Sequence, residues 1–217
     1  HCILLDLPGH GVSHNIEWTN FDDVVEMIVA IINSKAHGKP HLVGLSLGGS
    51  LILKLLEKNS SLIDRVIVDG ASPQPIKGYR KIIAIVYLMS FLKNTKFVAN
   101  FLTKMMQEDG APVQDVQRFV ADFQRSERRS FRRTMSQANL LRLDLQFDNS
   151  AFFVSGGKKS ETIHGWHRML AQKNARSEWV YYPDKGHAWL FSDVDTHIQL
   201  LGYFFQNAAF PEKLKGF

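Results

Sequence analysis

A serine flanked by glycines lies between a predicted strand and a predicted helix, and this arrangement constrains the fold more than any other feature of the chain. Residues 40–43 are typical of a short apolar strand, and residues 49–56 have helical spacing. Between them stands Gly44-Leu45-Ser46-Leu47-Gly48. A turn this tight leaves little room for side chains, so we expect glycine to be needed on both sides of Ser46. Ser46 would then project above a strand end, with a helix N-terminus beneath it that stabilises negative charge.

Predicted strands and helices alternate along most of the chain. Apolar runs indicate strands at residues 2–7, 40–43, 65–69, 152–155 and 179–182. Helical spacing follows at residues 21–32, 49–59, 158–173 and 193–207. This alternation predicts an α/β fold with a mostly parallel sheet that is covered by helices on both faces.

Residues 75–148 interrupt the alternation. Helical patterns follow one another at residues 80–93, 96–107, 113–126 and 130–143, and no strand is predicted between them. We therefore expect two units, an α/β core built from residues 1–74 and 149–217 and a helical unit formed by residues 75–148.

A second motif points to a known family. Asp6-Leu7-Pro8-Gly9-His10-Gly11 follows an apolar run, and His41-Leu-Val-Gly-Leu-Ser-Leu-Gly-Gly49 follows about thirty residues later. Together these stretches resemble the α/β-hydrolase superfamily, in its esterase/lipase-like branch. The resemblance implies that Ser46 is a nucleophile and that residues 75–148 form a helical cap over it. It says little about the substrate, because this fold hosts many reactions.

The chain begins inside a predicted strand and without Met. In the family that it resembles, three strands and a helix come first, and a loop after the third strand supplies one amide of the oxyanion hole. We therefore expect an N-terminal segment to be absent from this sequence. It follows that residues 2–6 and 41–45 should not pair directly, because the absent strand belongs between them.

A general base is expected at His187. The chain contains nine histidines, and His187 is the one in the loop directly after the last predicted strand, in the sequence Gly186-His187. The resemblance places the catalytic histidine in this loop, and the chain order from serine to histidine agrees with it.

The acid of the triad is the least conventional position. The family usually has an acidic residue three positions after a glycine at the end of the next-to-last strand, and here that position falls on Lys159 or Ser160. Two substitutes remain, Asp69 at the end of a strand and Glu161 in the loop. We favour Asp69, because a strand holds it rigidly, and an incomplete triad remains a third possibility.

These residues predict a serine hydrolase that cleaves a carboxylic ester or thioester of a small hydrophobic substrate. Ser46 attacks the carbonyl, His187 transfers the proton, and the Leu47 amide stabilises the oxyanion. The alternative is a catalytically impaired binding protein on the same scaffold, which the unusual acid position and the absent oxyanion loop would favour.

Composition excludes several other classes. Cys2 is the single cysteine, so an internal disulfide is impossible and we expect a cytoplasmic protein. We expect no metal and no cofactor, because no nucleotide-binding loop or metal-ligand spacing occurs. The net charge is +5 and arginines cluster between residues 125 and 133, but no recognised nucleic-acid-binding module is present, so we expect no nucleic-acid partner. No apolar run is long enough for stable membrane insertion. The oligomeric state stays open.

Overall fold

A five-stranded sheet with the order β1-β2-β3-β4-β5 forms the centre of the molecule. A computed structural model describes residues 1–158 and 161–216. The strands are β1 (Leu42–Leu45), β2 (Arg65–Asp69), β3 (Ser150–Gly156), β4 (Ser177–Tyr182) and β5 (Lys215–Gly216). The first four strands run parallel, and the two-residue β5 pairs antiparallel with β4.

Helices cover both faces of this sheet, as the alternation predicted. They are α1 (Phe21–Lys35), α2 (Leu47–Asn59), α3 (Tyr79–Leu92), α4 (Lys96–Glu108), α5 (Val113–Arg125), α6 (Arg128–Leu140), α7 (Glu161–Lys173), α8 (Trp189–Ser192) and α9 (Val194–Gln206). The expected α/β architecture is therefore confirmed. The observed helix ends lie within a few residues of the predicted ones, and β5 was not predicted because two residues carry no periodicity.

The two faces of the sheet build two separate cores. Along β3, Ala151 and Phe153 face the side that is covered by α1, α2 and α7, whereas Phe152 and Val154 face the side of α9. All four side chains are fully buried. A parallel strand that is covered on both faces is apolar at every position, which is why these residues form a continuous hydrophobic run.

Helices α3 to α6 form an insertion between β2 and β3. The segments that enter and leave this insertion bind each other, since the Leu143 amide donates to the Pro73 carbonyl at 2.9 Å and the Gln74 side chain donates to the Leu143 carbonyl at 3.0 Å. The insertion is therefore tied to the core at its base. Its assignment as a separate cap unit stays a prediction.

The predicted strand at residues 2–7 is wrong. These residues form no regular secondary structure, and Leu4 is 91% exposed. Instead of continuing a strand, Asp6 accepts a hydrogen bond at 2.8 Å from the Val12 amide in the turn that follows. An apolar run becomes a strand only where another strand offers it hydrogen bonds, and β1 pairs within the described residues only with β2. Residues 2–6 do not pair with residues 41–45, as expected.

No helix among residues 1–158 and 161–216 combines the length and the apolar character needed to cross a bilayer.

A matched pair of substitutions tests the position of the core. Leu56 on α2 is fully buried, whereas Leu88 on α3 is 59% exposed. Leu56→Ala should lower the free energy of unfolding by about 2–5 kcal/mol, because it leaves a cavity beneath the sheet. Leu88→Ala should change it by less than about 0.5 kcal/mol. Urea unfolding measures both, and equal losses would contradict this core.

Candidate active site

Ser46 occupies a strained turn between β1 and α2. Its backbone dihedrals are φ 53° and ψ −107°, a conformation that side-chain-bearing residues rarely adopt. The Ser46 amide donates to the Asp69 carbonyl at 2.8 Å, and the Ser46 carbonyl accepts from the Ser50 amide at 2.9 Å. The strained residue is thus held from the neighbouring strand and from the first turn of α2. This matches the geometry expected of a nucleophile elbow.

Glycine is required on one side of Ser46 but not on the other. A Cβ on Gly44 would overlap the Gly48 carbonyl and would lie 2.7 Å from the Gly49 nitrogen, whereas a Cβ on Gly48 meets no atom within 4 Å. Gly49 is also crowded, because a Cβ there would lie 2.8 Å from the Ala71 side chain. The expectation that both flanking glycines prevent clashes therefore holds for Gly44 and is wrong for Gly48. The tight contacts lie where α2 crosses the strand ends.

The His187 ring lies against the residue that follows β2, the strand next to β1. Leu45 pairs with Asp69 in the parallel register, so Ser46 and Gly70 each follow a paired position at the ends of adjacent strands. The His187 ring packs on Gly70, since a Cβ on that glycine would lie 2.7 Å from Cε1 and 2.9 Å from Nδ1. Gly70 also has φ +60°. The structure therefore brings Ser46 and His187 to one corner, although no hydrogen bond joins them in the described chain.

Asp69 is buried next to this corner without a partner. Its side chain is 1% exposed, and neither carboxylate oxygen has a hydrogen-bond partner within the described residues. Burial raises the pKa of Asp69 well above its usual value, and the nearby Trp189 indole N–H opposes this only in part. The Trp189 nitrogen itself lacks hydrogen-bond geometry to any described acceptor. The His187 ring packs on Gly70, the residue after Asp69, but no hydrogen bond joins Asp69 and His187 in the described structure.

The charge environment of His187 includes a residue that sequence reasoning missed. Atoms packed around the ring lower the pKa of His187, while the carboxylate of Asp109, at the end of α4, raises it. The residue as a whole is nevertheless exposed to solvent. Neutral imidazole can accept a proton from Ser46, as a general base must. No local pattern around Asp109 indicates this role, because it depends on where the insertion packs.

The other expected positions are less involved. Leu47 is the first residue of α2, where a backbone N–H has no acceptor inside the helix, so its amide is available to an oxyanion. Glu161 begins α7, is exposed, and makes no hydrogen bond or ion pair with His187 in the described structure. Lys159 and Ser160 lie outside the described residues. Among the residues that are described, no three potential ligands lie close enough to hold a metal ion.

A second histidine, His167, holds the loop that follows β2. His167 on α7 is fully buried, and its Nε2 lies 2.8 Å from the Ala71 carbonyl, to which it donates. Burial lowers the pKa of His167 to about 4, so the ring stays neutral near neutral pH. It fixes the loop that follows Asp69 and Gly70. The helical spacing of Ile163, His167 and Leu170 is the signal that could have identified it as an inward-facing residue.

Comparisons with known proteins show which family and fold the chain resembles. The sequence model of the alpha/beta hydrolase family matches residues 1–196. An AB hydrolase superfamily protein of Gibberella zeae is 37% identical over 71 residues, which are 32% of this chain and 25% of that protein. A 2-succinyl-6-hydroxy-2,4-cyclohexadiene-1-carboxylate synthase of Enterobacter sp. is 38% identical over 69 residues, 32% of this chain and 27% of the synthase. These matches span only about a quarter of the curated relatives.

Solved structures extend the likeness over nearly the whole chain. The enol-lactonase from Burkholderia xenovorans has a TM-score of 0.74 at 15% identity, with 92% of this chain and 78% of that chain covered. A thermophilic esterase from Thermogutta terrifontis has a TM-score of 0.72 at 14% identity, with 93% and 78% covered. At these identities the likeness shows the fold alone.

The two glycines beside Ser46 allow a direct test of the turn. Gly44→Ala should lower the thermal midpoint markedly, because the new methyl group overlaps the first turn of α2. Gly48→Ala should leave it unchanged or raise it, since alanine favours a helix by up to about 1 kcal/mol over glycine. Calorimetry of both variants measures the difference. Equal destabilisation would contradict the described elbow.

Proposed function

Because the chain belongs to the alpha/beta hydrolase family, we propose that it is a serine hydrolase that cleaves a carboxylic ester or thioester of a small hydrophobic substrate. The observation that carries the proposal is the strained Ser46 elbow with the His187 ring seated on the adjacent strand end. A serine in an ordinary backbone conformation would not need hydrogen bonds from a neighbouring strand and from a helix to hold it in place. Strain that the surrounding structure maintains at one residue is typical of a catalytic position.

The reaction follows from these two residues. Ser46 Oγ attacks the substrate carbonyl while His187 accepts its proton, and the Leu47 amide at the start of α2 donates to the oxyanion. The tetrahedral intermediate collapses, and the imidazolium returns the proton to the leaving alcohol or thiol. Water then attacks the acyl-enzyme with His187 again as the base, which releases the acid and regenerates Ser46.

Asp69 is proposed as the acid that orients His187. The Nδ1 edge of the ring is the edge nearer to Gly70, and Nδ1 is the nitrogen that a triad acid holds. The carboxylate and the ring must draw together when substrate binds, as catalytic hydrogen bonds often do. Glu161 is the alternative acid, but it would have to leave its exposed position at the start of α7.

Apolar side chains on the insertion support the substrate class. Large hydrophobic residues are exposed on α3 and α4: Ile85, Leu88, Phe91, Phe97, Phe101 and Met105. Such residues favour the binding of an apolar acyl or alcohol group over a charged one. The neighbouring structures named an esterase and an enol-lactonase also support ester chemistry, whereas the relative named a synthase leaves the reaction class to be tested.

A catalytically impaired binding protein is the second candidate. It is favoured by the absence, among the described residues, of a carboxylate that is hydrogen-bonded to His187. Labelling of Ser46 by a fluorophosphonate probe separates the two proposals, because a binding protein does not need an activated serine.

The reactivity of Ser46 is the decisive measurement. A fluorophosphonate probe should label the wild-type protein on Ser46, and Ser46→Ala should lose both labelling and hydrolysis of a short-chain p-nitrophenyl ester. Ser50→Ala removes a nearby hydroxyl that is hydrogen-bonded to the Ser46 carbonyl, so it controls for local disruption. An unlabelled, folded wild-type protein would favour the binding protein. Labelling without ester hydrolysis would keep the nucleophile and move the reaction to another class.

The acid can be assigned by two isosteric substitutions. Asp69→Asn should lower kcat by about 10⁴-fold, the loss that accompanies removal of a triad carboxylate, while Glu161→Gln should be nearly normal. At pH values above about 5, Asp69→Asn should also have a higher thermal midpoint than the wild type. The folded pKa of Asp69 lies above its unfolded value, so the native protein loses stability as pH rises past that value, and asparagine avoids the loss.

Reduced activity together with raised stability would distinguish a catalytic role of Asp69 from a structural one. The reverse activity pattern would transfer the role to Glu161, and near-normal rates in both variants would mean that neither carboxylate serves as the acid.

A further inference from the structure

Asp109 connects the insertion to the loop that carries His187. It follows the last residue of α4, and its Oδ2 accepts a hydrogen bond at 3.3 Å from the Ala188 amide. The same carboxylate packs against the other neighbour of the histidine, since a Cβ on Gly186 would overlap Oδ1 and lie 2.9 Å from Oδ2. One carboxylate thus contacts the residues immediately before and after His187.

This contact gives Gly186 a reason to be glycine. Its φ is not in the left-handed region, so backbone freedom does not require glycine there. The requirement is steric, because any side chain at this position would displace the Asp109 carboxylate. A Gly-His pair after the last parallel strand therefore allows a group from the insertion to approach the histidine closely.

The core holds the opposite side of the same loop. The Gly157 amide donates to the Tyr182 carbonyl at 2.6 Å, and the Lys158 amide donates to the Lys185 carbonyl at 3.0 Å. The segment before His187 is therefore attached to the end of β3. Asp109 restrains the side that this attachment leaves free.

Apolar packing keeps Asp109 in place. Met106 on α4, Ala111 in the loop after α4 and Val116 on α5 form a small buried cluster with Ala188. Asp109 lies between Met106 and Ala111 in the chain, so this packing supports the segment from which its carboxylate reaches the loop. It is half-buried and not enclosed.

The charges around His187 single out Asp109. The end of β2 contributes Asp69, whose pKa burial raises well above its usual value, and the preceding chain carries Asp184 and Lys185. Asp109 is the residue whose charge acts on the pKa of His187, and it favours the protonated ring. An imidazolium forms on His187 during attack by Ser46, so a carboxylate at this place stabilises the charged state of the base.

We propose that Asp109 is a positioning residue for His187, through which the insertion fixes the His187 loop and supplies the negative charge that acts on the base. The proposal deepens the hydrolase function and rests on it for its kinetic consequence. The geometric part concerns His187 itself and can be measured without turnover.

Asp109→Asn is the central variant, because asparagine can still accept a hydrogen bond from the Ala188 amide while it carries no charge. Since Asp109 raises the pKa of His187, its neutralisation should lower that pKa and move the acid limb of the kcat/KM profile to lower pH. On the plateau kcat should fall about tenfold, the effect of ~1.4 kcal/mol of lost transition-state stabilisation. The KM should change little.

Glu108→Gln is the matched control. Glu108 is the preceding residue, is exposed and forms, within the described part of the chain, an ion pair only with Lys104 at 3.9 Å. Its replacement by glutamine changes the net charge by the same amount. Its pH profile and kcat should remain those of the wild type. Asp109→Ser, a second neutral acceptor, covers the case in which Asp109→Asn folds poorly.

Nuclear magnetic resonance titration of the histidine rings, with His187 identified from a His187→Gln spectrum, separates this inference from the proposed function. If wild-type protein fails to hydrolyse esters, a downward shift of the His187 titration in Asp109→Asn still supports the positioning role. An unchanged titration, or an equal shift in Glu108→Gln, overturns it whatever the activity.

Discussion

The hydrogen bond from the Ser46 amide to the Asp69 carbonyl is the contact on which the whole corner depends. It extends the parallel pairing of β1 and β2 by one residue, past the end of the regular strands. Without it Ser46 would have no reason to adopt a positive φ, because nothing in serine itself favours that conformation. The same bond places Ser46 next to Gly70. Since His187 packs on Gly70, one backbone contact determines which two side chains can meet.

The carboxylate at the end of β2 is costly where it stands. A buried carboxyl group that has no hydrogen-bond partner among the described residues forfeits its hydration, and the raised pKa of Asp69 reflects that cost. Every other position of β2 from Val66 onwards is apolar and buried, so a hydrophobic residue would suit this strand better. A group that lowers stability in this way is easier to understand at a functional position than in a structural one. The proposed assignment of Asp69 to the triad rests on this argument together with the packing of the adjacent Gly70 against His187 Nδ1.

Most of the architecture could be predicted from the sequence because its signals are local. Strands β2, β3 and β4 are apolar runs, and α1 shows a regular buried stripe that begins after the capping residue Asn20. The strand predicted at residues 2–7 was wrong although its apolar pattern is equally local. A strand exists only where a partner backbone is available, and the composition of a segment contains no information about its partner.

The site divides along the same line. Ser46 and His187 were found from short motifs, since the elbow and the histidine loop each lie within a few residues of chain. Asp109 and His167 could not be found in this way, because each acts on a segment that is distant in sequence: Ala188 for Asp109 and Ala71 for His167. The freedom of Gly48 from contact was equally hidden. Its neighbourhood depends on the direction in which α2 leaves the turn, which a motif does not specify.

The two aspartates near His187 show how position determines what a carboxylate can contribute. Asp69 lies in the interior, where burial raises the pKa of its carboxyl well above the usual value and so favours the uncharged form. Asp109 lies at the half-buried junction with the insertion, where water still reaches it, and its charge acts on His187. The charge that raises the pKa of His187 is therefore contributed from the end of α4. Any movement of the insertion away from Ala188 would weaken this effect and release the loop together, which couples the packing of the insertion to the proton affinity of His187.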